Sequence, residues 1–175
     1  LNRKSYNVNP TFLMLTYFEM PLHSRAWIYQ SERELTDVEI NEIKRKAAMF
    51  LMEWTSHGNV MRATVDVLYN RFLVVLVDEN AASASGCGID KSVKFMQQME
   101  KDYSINLFDR MLVSYRNPDS TIQSTKLYTF EQMMEKGELS GETIVFNNLI
   151  STKEDMLSKW EVPVKLSWHS RMIPA

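Results

Sequence analysis

Six consecutive apolar residues, Phe72-Leu73-Val74-Val75-Leu76-Val77, form a segment without a polar face. Their branched and aromatic side chains favour a β-strand, and the polar string Asp78-Glu79-Asn80 closes it. Because alternate side chains of a strand point to opposite faces of the sheet, both faces of this strand have to be kept away from water. The sequence therefore predicts a strand in the middle of a sheet that is covered on both sides.

Extended and helical patterns surround this strand. The aromatic and β-branched segment 26–30 is predicted to be a strand. Thr36-Asp37-Val38-Glu39 has the pattern of a capping box, and apolar residues at helical spacing behind it predict an amphipathic helix over about 36–55. Residues 60–79 form a long β region, in which Asn70-Arg71 is the best candidate for a hairpin turn.

The segments that follow indicate a known order of elements. A second helix is predicted over about 89–103 and another strand over 110–116. The order over about 25–116 is then β-α-β-β-α-β, which is the order of the ferredoxin-like fold. The fold class that the sequence predicts is α+β.

The remaining residues, 117–175, are predicted to add a short helix, a strand at 143–146 and further helix at 152–159. Thr129 is expected to cap the short helix. A ferredoxin-like sheet normally leaves one face open, whereas the strand at 72–77 needs both of its faces covered. We therefore expect the last third of the chain to be a C-terminal α/β extension that covers the sheet.

Residues 1–20 are interpreted as an N-terminal extension, and 21–175 as a single α+β domain. The chain begins with leucine, and Met20-Pro21 would make a natural start, so the extension is expected to be flexible or foreign to the native protein. An apolar run at 12–18 resembles the core of a signal peptide, but it is short, Glu19 follows it directly, and no cleavage pattern of small residues appears.

Composition limits the classes of function. The formal net charge of the 175 residues is −2, so nothing draws the chain to nucleic acid or to an anionic membrane surface. No apolar run reaches the length of a membrane span. Cys87 is the only cysteine, which excludes an internal disulfide and favours a reducing compartment, here the cytoplasm. The three histidines are far apart in sequence, so neither a metal site nor a cofactor is predicted.

The segment 78–92 is the first candidate for a functional site. A buried strand ends at Asp78, and a loop of small residues then leads to the start of a helix, where free backbone N–H groups favour a small anion. The ligand-binding residues predicted here are Ser85, Gly86, Gly88, Asp90 and Ser92. Cys87 lies in the same loop, where the field at the helix start favours its thiolate form. The alternative is structural: the glycines permit a tight strand-to-helix turn, and Cys87 is a small buried residue.

Catalysis at this segment would use Cys87 and Asp78, with His57 as a further candidate. His57 follows the first predicted helix, where it would act as a general base or, alternatively, interact with the end of that helix. The segment is not a nucleotide phosphate loop, because the glycines that precede Lys91-Ser92 in a Walker A motif are absent.

Aromatic residues near the C-terminus are the second candidate. Trp160, Trp168 and His169 form either a packed C-terminal flap or an aromatic groove for a peptide. In the second case they are the predicted contacts of a protein partner or of a second copy of the chain. Asn147-Asn148 is either a turn or a pair of ligand-binding amides.

Short strings spread over the chain carry a family resemblance, namely Ala26-Trp27-Ile28-Tyr29-Gln30-Ser31, Tyr69-Asn70-Arg71-Phe72, Val77-Asp78-Glu79, Ser85-Gly86-Cys87-Gly88-Ile89-Asp90, Thr143-Ile144-Val145-Phe146-Asn147-Asn148, Trp160-Glu161-Val162-Pro163 and Ser167-Trp168-His169. They resemble a small uncharacterised bacterial family whose members often carry the label "ABC transporter ATPase". The likeness covers about residues 24–173 and implies no activity or catalytic residue. ATP hydrolysis, which the label suggests, is not supported because the Walker A motif is absent.

Two functions are expected from these features. The first is that of a non-enzymatic cytosolic binding or protein-interaction protein, which uses the C-terminal aromatic residues or a sheet edge. A second likeness, over 126–160, points the same way, since Gly137-Glu138-Leu139, Thr143-Ile144-Val145 and Trp160 are similar to small GYF-type peptide-binding modules. The alternative function is that of an enzyme or small-anion binder at 78–92 with Cys87.

Overall fold

The computed structural model describes residues 15–56, 59–80 and 86–174, which contain nine strands and four α-helices. The strands are β1 (Arg25–Gln30), β2 (Thr55–Ser56), β3 (Asn59–Val60), β4 (Ala63–Leu68), β5 (Phe72–Val77), β6 (Leu112–Arg116), β7 (Ile122–Lys126), β8 (Ile144–Phe146) and β9 (Glu161–Pro163). The helices are α1 (Asp37–Glu53), α2 (Gly86–Tyr103), α3 (Leu127–Glu135) and α4 (Lys153–Lys159). The predicted α+β class is confirmed. No helix within the described ranges is long and apolar enough to cross a membrane.

The predicted central strand, β5, lies in the middle of a three-stranded sheet. It pairs antiparallel with β1 on one side and with β4 on the other, so the strand order is β1-β5-β4. All six of its residues are buried. The prediction of a strand that is covered on both faces is therefore confirmed.

Each face of this sheet packs against a different part of the chain. The face with Leu73, Val75 and Val77 packs against apolar side chains of α1 and α2. The face with Phe72 and its neighbours at alternate positions packs against β8, α4 and the buried Trp160 that follows α4. The C-terminal third thus covers the sheet, as its sequence position suggested.

The residues just before β1 belong to the same packed face. Met20 is buried, and the side-chain ammonium group of Lys153 donates hydrogen bonds to the carbonyl oxygens of Met20 at 2.6 Å and Phe18 at 3.1 Å. Residues 15–20, which the sequence analysis assigned to an N-terminal extension, thus contact α4. The rest of that extension, 1–14, lies outside the described residues.

The turn between β4 and β5 lies one residue earlier than predicted. Tyr69 and Asn70 both have a φ of +51°, and the backbone N–H of Arg71 donates to Leu68 O at 3.1 Å. Two left-handed residues in a two-residue loop match the twist of the strands that it joins. Arg71, the second residue of the predicted turn, is instead buried, and its guanidinium donates to Glu32 O at 3.0 Å.

The ferredoxin-like order is not confirmed, because β6 does not join the sheet of β1, β5 and β4. It lies in a second antiparallel sheet, of order β7-β6-β8-β9. The place beside β1 is partly taken by the segment before α4, where Thr152 forms a bridge with Arg25. The two sheets meet at the end of β1, where Gln30 Nε2 donates to Leu112 O at 2.5 Å and Gln30 Oε1 accepts from Ser114 Oγ at 2.9 Å.

The starts of α2 and α3 differ from the prediction, whereas those of α1 and α4 lie within one residue of it. The capping box of α1 is present: Thr36 Oγ accepts from the backbone N–H of Glu39, and the Glu39 carboxylate accepts from that of Thr36. α2 starts at Gly86 rather than at 89, because the two glycines continue the helix. α3 starts at Leu127, directly after β7, so Thr129 lies inside the helix and does not cap it.

Candidate functional site

A pocket of about 490 Å³ opens between the outer edge of β1 and the second sheet. Its walls are formed by residues 28–30 of β1, by side chains of the loop before β6, by residues that follow β8, and by Trp168 and His169. We call it the edge pocket. It lies where the fourth strand of a ferredoxin-like sheet would pair with β1.

The outer edge of β1 is paired only at its beginning. The backbone N–H of Ala26 donates to Ser151 O on this edge at 2.8 Å, whereas that of Ser31 points to the opposite side, toward the end of β5. Because the direction of the backbone groups alternates along an antiparallel strand, Ile28 and Gln30 direct their N–H and C=O groups to the same edge as Ala26. Neither residue makes a backbone hydrogen bond there to any part of the chain that is described.

His169 is a buried, neutral imidazole at the wall of the edge pocket. Only 1% of it is exposed, and burial, with a smaller effect from the positive Arg171, lowers its pKa to about 4. Ser167 Oγ lies 2.8 Å from His169 Nδ1 and 3.1 Å from Val164 O, and Val164 O also accepts from the backbone N–H of Ser167. Because a hydroxyl can donate or accept, this contact is compatible with either tautomer of the neutral ring. His169 Nε2 has no hydrogen-bond partner among the described residues, and only a small part of the residue reaches the surface.

Asn148 supplies a hydrogen-bond donor on the same pocket wall. The indole N–H of Trp160 can only donate, so the Asn148 atom that faces it at 2.8 Å is the amide oxygen. The amide group of Asn148 is fixed in this way, and its Nδ2 group donates to no residue that the structure describes. Trp160 itself is buried, and the prediction that it contacts a partner is not supported.

Aromatic rings form much of the remaining wall. Trp168 is half-buried and stacks on His169 with ring centroids 3.8 Å apart. Tyr29 meets Phe108 edge to face at 5.3 Å. Such rings offer a large apolar surface with little conformational freedom to lose on binding.

Asp78, the predicted catalytic carboxylate, is the centre of a polar cluster at the other end of β1. Its Oδ1 atom lies 2.9 Å from His23 Nε2, its Oδ2 atom lies 3.3 Å from the guanidinium of Arg62, and it accepts from the backbone N–H of Asn80. These interactions, led by the hydrogen bond from His23, lower the pKa of Asp78 although burial opposes them. The same His23 Nε2 atom lies 3.0 Å from Asn80 Nδ2, so Asp78, His23 and Asn80 form one polar group.

The other predicted residues of 78–92 that the structure describes all lie in α2. Cys87 is exposed in the first turn of α2 and makes no hydrogen bond or ion pair with the described residues. Gly88 O accepts from Trp54 Nε1 at 2.9 Å, and Ser92 Oγ donates to Ile89 O at 2.7 Å, so both serve the packing of α2. Gly86 and Asp90 are exposed. Ser85 and His57 lie outside the described residues, and no group of three potential metal ligands occurs within them.

The sequence located some of these residues and missed others. Trp168 and His169 do line one pocket, and Asn148 of the predicted amide pair lies beside them. His23 was missed because the chain brings it to Asp78 only through the antiparallel register that sets Arg25 opposite Val77. One sequence signal could have found His23. It is a polar residue just before one strand, combined with another polar residue just after the strand that pairs with it.

Comparisons with known proteins do not assign the chain to a family. No protein-family model matches the chain, and the searches of curated proteins and of solved structures gave no significant match.

Proposed function

We propose that this chain is a cytoplasmic, non-enzymatic protein-interaction protein that binds an extended segment of another polypeptide along the outer edge of β1. The bound segment would pair with Ile28 and Gln30 and place one side chain in the edge pocket. The observation that carries the proposal is the unpaired edge of β1 opening directly into a pocket. The family resemblance noted in the sequence stays a prediction, since no comparison tests it.

Strand addition explains the combination of features better than a small-molecule site does. Backbone groups of an edge strand recognise any extended chain, and a pocket beside them selects one side chain. The pocket combines aromatic walls with polar side chains, which include Asp109 and Arg110 as well as Asn148 and His169. The free edge is short because Ser151 occupies its beginning, so the interface is small and the complex is expected to be transient.

Replacing Ile28 by proline is expected to weaken peptide binding about tenfold or more, because proline removes the outward N–H that the bound strand needs. Proline is tolerated on an edge strand where the N–H points away from the sheet. Peptides would be selected from a random library on the wild-type protein, and their Kd measured by calorimetry for each variant.

Ile28→Val is the matched control, since it shortens the same side chain but keeps the N–H. Equal affinities for the proline and valine variants, at equal thermal stability, would contradict strand addition. Light scattering tests whether the segment that binds the edge of β1 comes from a second copy of the chain. A wild-type dimer that Ile28→Pro dissociates would show that this edge serves self-association.

A second candidate function is that of an enzyme or small-anion binder at the Asp78 cluster. The observation that favours it is the pairing of a half-exposed His23 with a buried carboxylate, an arrangement that orients an imidazole for proton transfer. Cys87 would have to come within reach of His23 for the two to act together.

If these two residues share a site, iodoacetamide should alkylate Cys87 about tenfold faster than a free thiol at neutral pH, and His23→Ala should remove the excess. The rate is followed by mass spectrometry of the native protein. Alkylation at the free-thiol rate, unchanged by His23→Ala, would rule out this function.

A further inference from the structure

We propose that the edge pocket selects an aromatic side chain, that of phenylalanine, tyrosine or tryptophan, on the extended peptide. This inference rests on the proposed function and specifies the ligand at the same site. It is carried by the rings that line the pocket, which are those of Tyr29, Phe108, Phe146, Trp168 and His169.

Part of this apolar lining is accessible to a ligand. The side chain of Phe108 is large and apolar, yet the residue is 38% exposed, and Tyr29 and Trp168 are only half-buried. Leu149 lines the same pocket and is 74% exposed. Apolar side chains that stay accessible side by side are typical of a binding site, whereas single exposed ones are common on any surface.

Two of the polar side chains at the pocket are already engaged within the chain. The Gln30 amide donates to one residue of β6 and accepts from another. The carboxylate of Asp109 forms an ion pair with Lys126 and accepts from the backbone N–H of Met111 at 2.9 Å. Since both groups have partners, a polar ligand side chain would gain little from either of them.

The charges at the pocket do not favour a charged side chain of either sign. Asp109 and Arg110 are adjacent and carry opposite charges, and burial holds the pKa of His169 at about 4, so this ring is neutral at neutral pH. An acidic side chain would meet Asp109, and a basic one would meet Arg110. Arg110 forms no ion pair with the described residues, and a guanidinium group can lie over the face of an uncharged ring.

A ring is also favoured over an aliphatic side chain of similar size. Aromatic rings gain free energy from edge-to-face or offset contacts beyond the burial of their area. Tyr29 meets Phe108 edge to face, and Trp168 stacks on His169, so these surfaces are in place before a ligand binds. The pocket volume of about 490 Å³ lies within the range of about 300 to 1,000 Å³ that encloses whole small ligands, so a bulky ring fits.

The test compares three blocked pentapeptides, Thr-Val-Phe-Val-Thr and the same peptide with cyclohexylalanine or glutamate at the centre. Cyclohexylalanine has the bulk of phenylalanine in a saturated ring, so it isolates the aromatic contribution. We expect the Phe peptide to bind about fivefold tighter than the cyclohexylalanine peptide and about tenfold tighter than the Glu peptide, measured by calorimetry. The ring current of the bound Phe should also shift the methyl resonances of Leu149, which the saturated ring should shift much less.

Phe108→Leu is the decisive variant, because it keeps an apolar side chain and removes one ring from the pocket. It should reduce the preference for the Phe peptide over the cyclohexylalanine peptide to about twofold or less. Phe18→Leu is the matched control, since it makes the same change at a residue that is 86% exposed and does not line the pocket, and it should leave the preference unchanged. Thermal unfolding checks that both variants are folded.

The outcomes separate this inference from the function on which it rests. Equal binding of the Phe and cyclohexylalanine peptides, abolished in both cases by Ile28→Pro, would overturn aromatic selection and leave strand addition intact. A preference for Phe that Phe108→Leu does not reduce, or a bound Phe that does not shift the Leu149 methyl resonances, would also contradict the selection of a ring by this pocket. Binding of none of the three peptides would overturn both the inference and the proposed function.

Discussion

Shortening either Phe72 or Leu73 to alanine is expected to destabilise the protein strongly, by about 3 to 5 kcal/mol for Phe72 and about 2 to 5 kcal/mol for Leu73. The two residues are neighbours in β5 and both are 0% exposed. Since they point to opposite faces of the sheet, a large loss at both positions is the energetic signature of a sheet that is covered on both sides.

The physical reason for the loss of stability differs between the two faces of the sheet. Phe72 is surrounded by other rings, with centroids 4.7 Å from Phe146 and 5.1 Å from Trp160, so its removal leaves a cavity that rigid neighbours cannot fill. Leu73 packs among side chains of α1 and α2, which can shift more easily. The larger loss is therefore expected for Phe72.

Urea unfolding followed by tryptophan fluorescence measures both effects. Leu157→Ala is the matched control for Leu73→Ala, because the same change at a side chain that is 64% exposed should alter the free energy of unfolding by less than about 0.5 kcal/mol. A large loss for Leu73→Ala with a small one for Phe72→Ala would mean that the C-terminal third does not cover the sheet.

The parts of the fold that the sequence predicts well depend on short-range patterns. The burial of β5 follows from six adjacent apolar residues, and the start of α1 follows from Thr36 and Glu39, which are three positions apart. The start of α2 was placed too late because glycines were expected to end a loop, whereas packing against Trp54 holds Gly88 in the first turn of the helix.

The pairing of β6 was not predictable in the same way. The local sequence of a strand does not indicate which sheet edge the strand joins. Here residues around Thr152, far along the chain, occupy part of the edge of β1. The same holds for the edge pocket, which exists because β6 lies in another sheet. Asn148 and His169 were named from sequence, but their meeting at one pocket and their contacts with Trp160 and Ser167 depend on the folded chain.

Acid is expected to reduce the stability of the folded chain through His169, by about 3 kcal/mol between pH 6.5 and pH 4. Burial lowers the pKa of this residue to about 4 in the folded state, while the unfolded chain has the ordinary value of 6.5. Between these values the unfolded chain binds a proton that the folded chain does not, so lowering the pH favours unfolding. Well above pH 6.5 the ring is neutral in both states and contributes no pH dependence.

The variant His169→Asn isolates this contribution. Its amide can form a hydrogen bond with Ser167 Oγ as Nδ1 does, but it does not titrate, so the free energy of unfolding should fall less on acidification than in the wild type. Urea unfolding at about pH 7.5 and about pH 4.5 measures the difference. Carboxylates with lowered pKa values, Asp78 and Glu39 among them, lose their contributions at lower pH and do so equally in both proteins.

Equal pH dependence in the two proteins would show that His169 takes up a proton as readily in the folded chain as in the unfolded chain. If the slopes differ as expected, protonation of His169 in the folded state is confined to the region near pH 4. Because the ring then stays neutral in the folded protein, peptide binding at the edge pocket should be unchanged from about pH 8 down to about pH 5.5 as long as the chain remains folded.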